Sequence, residues 1–171
     1  KISGVKLIEA LRKEHGREYV SLMPTNLYGP NDNFDLKSSH VLPAMIRKFH
    51  EAKLNGNASV ELWGTGSPMR EFLHVDDLAH AVLFALEHEL EKHLYNVGTG
   101  SDLTIKDLAK LVQSTVGHKG ELEWDTNKPD GTPRKLLDCT VINNEGWNPK
   151  IDLESGVSKT YAWYLDNVNE K

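Results

Sequence analysis

Short strand-like segments alternate with amphipathic helical segments along most of this chain. Apolar residues at helical spacing run from Ile2 to His15 and end at Gly16, a typical helix C-cap. The strand-like run Tyr19–Met23 follows and is stopped by Pro24. Alternation of this kind favours a sheet with parallel strands covered by helices. The sequence therefore predicts the α/β class, with a parallel strand or two and smaller appended elements.

The same alternation continues to the end of the chain. Further helices are predicted at Val41–Ala52, at about Val75–Leu86, after the N-cap Thr104, and at Leu153–Val168. Further strands are predicted at Val60–Trp63, Leu94–Val97 and Glu121–Trp124. Loops are predicted at Gly29–Ser39 and Lys128–Lys135, which are rich in turn-forming residues.

Charge and cysteine content limit the possible partners. The formal net charge of −5 argues against a nucleic-acid surface, so bound phosphate would need a local group of basic residues. Cys139 is the single cysteine, which excludes an intrachain disulfide and is typical of the cytoplasm. We expect it to be a small buried hydrophobe. No apolar run approaches the roughly 20 residues that span a bilayer, so no membrane partner is expected.

Several motifs with a known chemistry are missing from the sequence. The glycine-rich Gly-x-Gly-x-x-Gly phosphate loop does not occur, and Gly98-x-Gly100 lacks the third glycine. No Cys/His pair has metal-ligand spacing, so no metal site is predicted. Composition and periodicity alone leave the chain as an unassigned α/β protein.

Two motifs carry a resemblance to a known family. The run Ser67–Asp77 reads Ser-Pro-Met-Arg-Glu-Phe-Leu-His-Val-Asp-Asp, and Pro24–Pro30 reads Pro-Thr-Asn-Leu-Tyr-Gly-Pro. Together they resemble the nucleotide-sugar branch of the extended short-chain dehydrogenases and, within it, the GDP-L-fucose synthase family. The resemblance extends from Lys1 to about Leu165.

The resemblance implies a fold and a domain organisation. We expect the C-terminal part of a Rossmann-like extended short-chain dehydrogenase, together with its smaller α/β substrate-binding domain. Residues 1–30 would be the last part of the dinucleotide-binding domain. Residues 31–171 would be mostly the nucleotide-sugar region, with some segments returning to the Rossmann core.

The resemblance also implies an activity. The family epimerises GDP-4-keto-6-deoxy-D-mannose at C3 and C5 and reduces C4 with NADPH, which yields GDP-L-fucose. A cytoplasmic homodimer paired through the helix Ile2–Leu11 is expected for the intact enzyme. The family's cofactor phosphate loop, catalytic cysteine and catalytic tyrosine would precede Lys1, so the isolated chain is expected to be inactive.

Catalytic and cofactor residues follow from the same resemblance. Lys1 would be the lysine of Tyr-x-x-x-Lys, which lowers the tyrosine's pKa and binds the cofactor ribose. His40, in Ser39-His40-Val41-Leu42-Pro43, would be the acid in epimerisation, because an imidazole supplies a proton near neutral pH. The residues implied to bind the cofactor are Lys1, Pro24, Thr25, Asn26, Leu27 and His40. A solvated terminus remains the alternative for Lys1, and an Asx-type turn the alternative for Asn26.

Four residues are implied to bind the nucleotide sugar. Arg70 has the guanidinium fork that suits diphosphate oxygens. Lys48 stands where the family often has arginine, and Arg47 beside it could share that role. Trp63 matches a substrate-contacting tryptophan but could equally be core. Asp130 matches a substrate contact, although Pro129-Asp130-Gly131 is also a common turn signal.

Six further histidines and three tryptophans receive structural assignments. His74 is expected to pack or to form a hydrogen bond beside a helix start. The histidines expected at the surface or at helix caps are His15, His50, His88, His93 and His118. The tryptophans expected in the core are Trp124, Trp147 and Trp163.

Two other functions stay open at this point. One is a different nucleotide-sugar epimerase or dehydratase that acts on UDP- or dTDP-sugars. The other is a non-catalytic module that binds GDP or serves oligomer contacts. The sequence around His40 and the loop Lys128–Lys135 favour the GDP enzyme over the first alternative.

Overall fold

The computed structural model describes residues 1–168 and has a mixed α/β architecture, which confirms the predicted class. The helices are α1 Ile2–His15, α2 Val41–Asn55, α3 Val75–Glu87, α4 Ile105–Val116, α5 Thr140–Asn144 and α6 Leu153–Asn167. The strands are β1 Ser21–Pro24, β2 Asn26–Tyr28, β3 Ser59–Trp63, β4 Met69–Arg70, β5 Phe72–His74, β6 Leu94–Val97, β7 Leu103–Thr104, β8 Glu121–Asp125 and β9 Arg134–Lys135.

Most strand pairs are parallel, as the alternation predicted. β1 pairs with β6, β2 with β5, and β3 with β8, each in parallel. Helices lie between the strands of every such pair along the chain, because a parallel connection needs a crossover. β4 joins a small mixed sheet between antiparallel β7 and parallel β9. The β2–β5 register sets Asn26 beside Phe72, so the two motifs that carried the family resemblance are neighbours in space.

The buried side chains form two apolar clusters. The first lies among α2, α4, α6, β3 and β8, where the cluster includes Ile46, Phe49, Leu108, Val112 and Val157. The second lies around β1, β5, β6, α3 and α5, where it includes Leu73, Tyr95, Val97, Ile142 and Trp147. Cys139 belongs to the second cluster and is 3% exposed, which confirms its prediction as a buried hydrophobe.

The tryptophans expected in the core are buried to different degrees. Trp147 is buried in the second cluster, as predicted. Trp124 and Trp163 are only partly buried and pack against the first cluster. Trp63 is 65% exposed, which removes the alternative that it belongs to the core.

Local sequence signals set where the helices begin and end. The Oγ1 atom of Thr104 accepts a hydrogen bond from the Asp107 N–H at 3.0 Å, which makes it the predicted N-cap of α4. Gly16 ends α1 with a left-handed φ of 61°, as predicted. α2 runs three residues past the predicted end at Ala52 and stops at Gly56, whose φ is 66°.

Two histidine assignments are wrong. His50 and His118, expected at the surface or at helix caps, are only 4% and 7% exposed. The Nδ1 atom of His50 lies 3.0 Å from the hydroxyl of Tyr161, and Nε2 of His118 lies 3.1 Å from the carbonyl oxygen of Asn57. Each ring therefore has a buried hydrogen-bond partner, which makes burial of a polar side chain tolerable.

The shortest strands were not predicted. β2, β4, β5 and β7 have two or three residues each, too few for alternation to be read from sequence. β9 lies inside the predicted loop Lys128–Lys135, and it is a strand only because it pairs with β4. Tertiary contacts define these elements.

Candidate functional site

A cleft of about 750 Å³ opens beyond the carboxyl end of β1, beside the start of α2. Carboxyl ends of parallel strands are the common position for ligands in α/β folds, because the chain turns away there and leaves a crevice. The candidate residues lining this cleft are Lys1, Pro24, Thr25, Asn26, Leu27, His40 and Arg70. The fold therefore brings together both predicted catalytic residues, all of the predicted cofactor residues and the predicted diphosphate residue.

The segment Pro24–Leu27 forms one wall of the cleft, and hydrogen bonds to neighbouring strands fix its position. The backbone N–H of Thr25 donates to the carbonyl oxygen of Val97 at 3.0 Å. The amide nitrogen Nδ2 of Asn26 donates to the carbonyl oxygen of Glu71 at 2.7 Å. This second bond explains the fixed orientation of Asn26 without an Asx-type turn.

His40 lies at the N-cap position of α2 and its ring is exposed to the cleft. Its backbone carbonyl accepts the first helical hydrogen bond from the Ala44 N–H at 3.1 Å. The helix therefore fixes the backbone of His40 while the imidazole stays accessible. An accessible imidazole can exchange protons with a bound molecule near neutral pH.

Lys1 reaches the same cleft from the start of α1. Its backbone carbonyl accepts a hydrogen bond from the Val5 N–H at 3.2 Å, so the residue is part of the helix start. Lys1 and His40 thus line one cleft although they are distant in sequence. That proximity is a consequence of the fold and is not visible from spacing.

Two basic residues on paired strands form a second wall of the cleft, next to Asn26. β4 and β9 pair in parallel with Arg70 in register with Lys135, and both residues line the cleft. The Nη1 atom of Arg70 donates to the Met69 carbonyl at 2.8 Å, and Nζ of Lys135 lies 3.4 Å from Oδ1 of Asn26. Adjacent positive charges of this kind favour an anionic group such as a phosphate.

Lys135 was missed as a site residue. The sequence predicted Lys135 only as the end of a loop, because a strand of two residues carries no signal for the strand it pairs with. The parallel register with Arg70 is the signal that identifies it, and it exists only in the folded chain.

Trp63, Lys48 and Asp130 lie outside the cleft and form a second patch. Trp63 is exposed at the end of β3, and the Nζ atoms of Lys48 and Lys128 lie 5.9 Å and 5.4 Å from its ring centroid. Such distances fit cation–π contacts. The Nζ atom of Lys48 also donates to the Glu61 carbonyl at 3.0 Å, which fixes the lysine beside the ring.

The carboxylate of Asp130 is engaged within the protein. Its Oδ1 accepts from the Thr65 N–H at 2.7 Å and its Oδ2 from the Thr65 hydroxyl at 2.8 Å. These bonds tie the loop after β8 to the turn after β3. Each carboxylate oxygen has a further lone pair, so Asp130 could still accept one more donor per oxygen.

The two parts of the site meet at Gly131. A methyl group added at Gly131 would lie 3.7 Å from Nη2 of Arg70, so the glycine is in the immediate surroundings of the guanidinium. Asp130 is its chain neighbour and bonds to Thr65, two residues beyond Trp63. The exposed tryptophan is therefore linked to the cationic wall by a short run of contacts.

A buried histidine lies behind the cleft. The Nδ1 atom of His74 accepts a hydrogen bond from the Asp76 N–H at 3.2 Å at the start of α3, as the sequence predicted. The Nε2 atom is buried without a hydrogen-bond partner in the described part of the chain. Burial lowers the pKa of His74, which favours the neutral ring.

The thiol of Cys139 has low reactivity. Burial, and then the nearby carboxylate of Glu71, raise the pKa of its thiol to about 11. A thiol with that pKa is protonated at neutral pH and is a poor nucleophile.

Residues 1–168 contain neither a membrane-spanning helix nor a metal-ligating cluster. No helix in that range is both long and apolar enough to cross a bilayer. No group of three or more His, Cys, Asp or Glu side chains in that range could hold a metal ion.

A second cleft of about 410 Å³, between the turn at Thr99 and the start of α6, is lined by none of the candidate residues.

Comparison with known proteins gives consistent similarities. Residues 1–98 match the NAD dependent epimerase/dehydratase family. The chain is 57% identical over 168 residues to the probable GDP-L-fucose synthase 1 of Oryza sativa subsp. japonica, covering 98% of this chain and 51% of the relative. It is 50% identical over 177 residues to the GDP-L-fucose synthase of Escherichia coli (strain K12), covering 98% of this chain and 55% of that one.

A solved structure has the same fold. The GDP-mannoheptose C4 reductase MlghC from Campylobacter jejuni, solved with NADP bound, has a TM-score of 0.85 at 36% identity. The match covers 96% of this chain and 58% of the reductase. The chain spans about half the length of the synthases that it matches.

Proposed function

This chain belongs to the NAD dependent epimerase/dehydratase family, and we propose that it is part of an NADPH-dependent epimerase-reductase that makes GDP-L-fucose. The proposed substrate is GDP-4-keto-6-deoxy-D-mannose, which is inverted at C3 and C5 and then reduced at C4. The observation that carries the proposal is the meeting of Lys1, His40 and Arg70 in one cleft beside Pro24–Leu27. The similarity to two GDP-L-fucose synthases supports the choice of substrate.

The cleft suits the cofactor's nicotinamide end. Its volume of about 750 Å³ lies in the ordinary range for small-molecule sites, and its wall is the carboxyl end of a parallel strand. Lys1, Pro24, Thr25, Asn26, Leu27 and His40 would hold the group. NADPH, when bound, supplies the hydride for the reduction of C4. Lys1 would donate a hydrogen bond to the ribose and keep positive charge near the proton donor.

His40 is proposed as the acid in epimerisation. The C4 ketone acidifies the hydrogens on C3 and C5, so a base removes a proton from one face and an acid returns one to the other. The second role for His40 is supported by its position, because its backbone is fixed at the start of α2 and the exposed residue lines the cleft. An imidazole donates a proton near neutral pH.

Arg70 and Lys135 are proposed to bind the diphosphate. The guanidinium can donate two parallel hydrogen bonds to phosphate oxygens, and the ammonium of Lys135 adds a second charge in register with it. Trp63 with Lys48 would contact the nucleoside end, where an exposed indole offers a stacking surface. Asp130 would contact the same end through its remaining lone pairs.

Domain organisation and assembly are part of the proposal. Residues 1–30 are assigned to the end of the dinucleotide-binding domain and residues 31–171 mostly to the nucleotide-sugar region. The second apolar cluster supports the return of later segments to the first domain, because it joins β1 to β6 and α5. We propose a homodimer paired through α1, whose Ile2 and Leu7 side chains are 82% and 58% exposed. A cytoplasmic location is proposed from the single, free cysteine.

The substrate class is tested by titrating GDP, with UDP as the paired ligand, into the full-length protein by calorimetry. We expect saturable binding of GDP in preference to UDP. Arg70→Ala should weaken GDP binding about tenfold or more, since it removes a charge-assisted contact. Arg17→Ala, a change at an exposed arginine outside the cleft, should leave the affinity unchanged.

His40→Gln separates catalysis from binding in the same protein. It should retain the GDP affinity and slow deuterium uptake from solvent at C3 and C5 by about 10²–10⁴-fold. Tighter binding of UDP than GDP would favour an enzyme of UDP-sugars. Retained binding of GDP without any exchange or reduction by the wild-type protein would instead favour a non-catalytic module.

A further inference from the structure

A fully buried carboxylate lies between the two walls of the cleft. Glu71 is the single residue between β4 and β5, and it is 0% exposed. A buried carboxylate is costly unless its oxygens accept hydrogen bonds. Glu71 has no role in the proposed reaction, so the hydrogen bonds of its carboxylate need a separate explanation.

The carboxylate of Glu71 is bound by two segments distant in sequence. Its Oε1 accepts from the Gly100 N–H at 2.8 Å and from the Thr99 hydroxyl at 3.4 Å. Its Oε2 accepts from the Leu137 N–H at 3.0 Å. A side chain at Gly98 would collide with Oε1. The Gly98–Gly100 turn, which resembles part of a phosphate loop in sequence, therefore holds an internal carboxylate.

The backbone of Glu71 holds the cofactor wall. Its carbonyl oxygen accepts from Nδ2 of Asn26 at 2.7 Å and from Oγ1 of Thr25 at 3.4 Å. Its chain neighbour Arg70 belongs to the second wall and is paired with Leu103 and Lys135. A shift of Glu71 would therefore move both walls of the cleft.

We propose that Glu71 is a positioning residue: its carboxylate, bound by the Gly98–Gly100 turn and the Leu137 N–H, fixes the backbone from which the neighbouring Arg70 side chain reaches the diphosphate. This proposal rests on the proposed function, because it takes Arg70 as the diphosphate ligand. Glu71 acts through Arg70 and touches no substrate. It also sets the distance between the phosphate wall and the Thr25–Asn26 wall.

A double-mutant cycle in the full-length protein tests this role, with GDP dissociation constants measured by calorimetry. Glutamine at position 71 has one acceptor oxygen, so its NH₂ group would face a backbone N–H. We expect Glu71→Gln to weaken GDP binding about tenfold in the wild-type background. In the Arg70→Ala background the same change should weaken it less than about twofold, because the group it positions is gone.

Two further variants make the result interpretable. Glu89→Gln changes an exposed glutamate and should leave the affinity unchanged. Thr99→Val removes one hydroxyl donor and keeps both backbone donors, so it serves if Glu71→Gln does not fold. We expect it to weaken GDP binding about two- to threefold, again only when Arg70 is present.

The outcomes separate this proposal from the proposed function. Wild-type protein that binds GDP no better than UDP contradicts the proposed function. GDP binding that is preserved in Glu71→Gln, or lost equally in both backgrounds, contradicts the positioning role alone. Loss confined to the background that contains Arg70 supports it.

Discussion

Single residues of this protein act through their neighbours. Arg70 becomes part of a cationic wall because Lys135 lies in register with it, and Asn26 is oriented by a carbonyl oxygen of the next strand. Asp130 accepts two hydrogen bonds from Thr65 and so shapes the loop beside Arg70. The chemistry of each residue could be read from its type, whereas its orientation depends on contacts remote in sequence.

We expect His74 to make the stability of the protein depend on pH. Burial lowers its pKa in the folded protein below the value of about 6.5 in the unfolded chain, so the unfolded chain binds the proton more readily. The contribution of the neutral ring is complete above pH 6.5 and is lost as the pH falls below that value. We expect the thermal midpoint to drop between pH 7 and pH 5.

A substitution isolates that effect from other titrations. Asparagine at position 74 keeps an acceptor for the Asp76 N–H and has no proton to gain, so His74→Asn should flatten the pH dependence. His15→Asn, at an exposed histidine, should keep the wild-type slope. An unchanged slope in His74→Asn would assign the pH dependence to other groups.

The length of a helix or strand decided how well the sequence predicted it. Helices with strong periodicity were predicted close to their observed bounds, for example α3 at Val75–Glu87 and α6 at Leu153–Asn167. The strands of two or three residues were missed, and the observed β1 begins two residues after the predicted run. Short strands exist because a partner completes their hydrogen bonds, and the partner is not encoded locally.

The start of α4 gives a test at this scale. Thr104 and Asp107 form a reciprocal pair, since the threonine hydroxyl donates to Oδ2 of the aspartate at 2.6 Å and accepts from its N–H. Thr104→Ala should lower the free energy of unfolding by about 1 kcal/mol. Urea denaturation measures this change. Ser114→Ala, at an exposed position within α4, should change it by less than about 0.5 kcal/mol.

At the scale of the whole molecule, hydrogen bonds to buried carboxylates join segments that are distant in sequence. Asp77, at the start of α3, is 1% exposed and accepts from the Lys150 and Ile151 N–H groups, both at 3.0 Å. It thereby fixes the segment that leads into α6. Glu71 similarly joins the cleft to the turn at Gly98–Gly100. Both carboxylates lie within the run Ser67–Asp77 or at its end, so this run holds several distant segments of the chain in place.

Assembly is also tested at this scale. None of the residues of α1 is buried, and Leu7 is 58% exposed on it. If α1 pairs two copies, Leu7→Glu in the full-length protein should halve the mass measured by light scattering. Leu54→Glu, at a leucine 67% exposed at the end of α2, should leave the mass unchanged. A wild-type protein of monomer mass would contradict the proposed dimer.

The sequence by itself determined the α/β class and the long helices, with the caps Gly16 and Thr104, and its resemblance to a known family implied the residues of the candidate site. Periodicity, capping and turn signals act over a few residues, so they can be read from a linear string. Only the tertiary structure decided that Lys1, His40 and Arg70 share one cleft, that Lys135 joins them, and that Trp63 is exposed. It also decided that His50 and His118 are buried with partners. These outcomes depend on which distant backbone groups meet, and strand register and burial of polar groups are settled by that pairing.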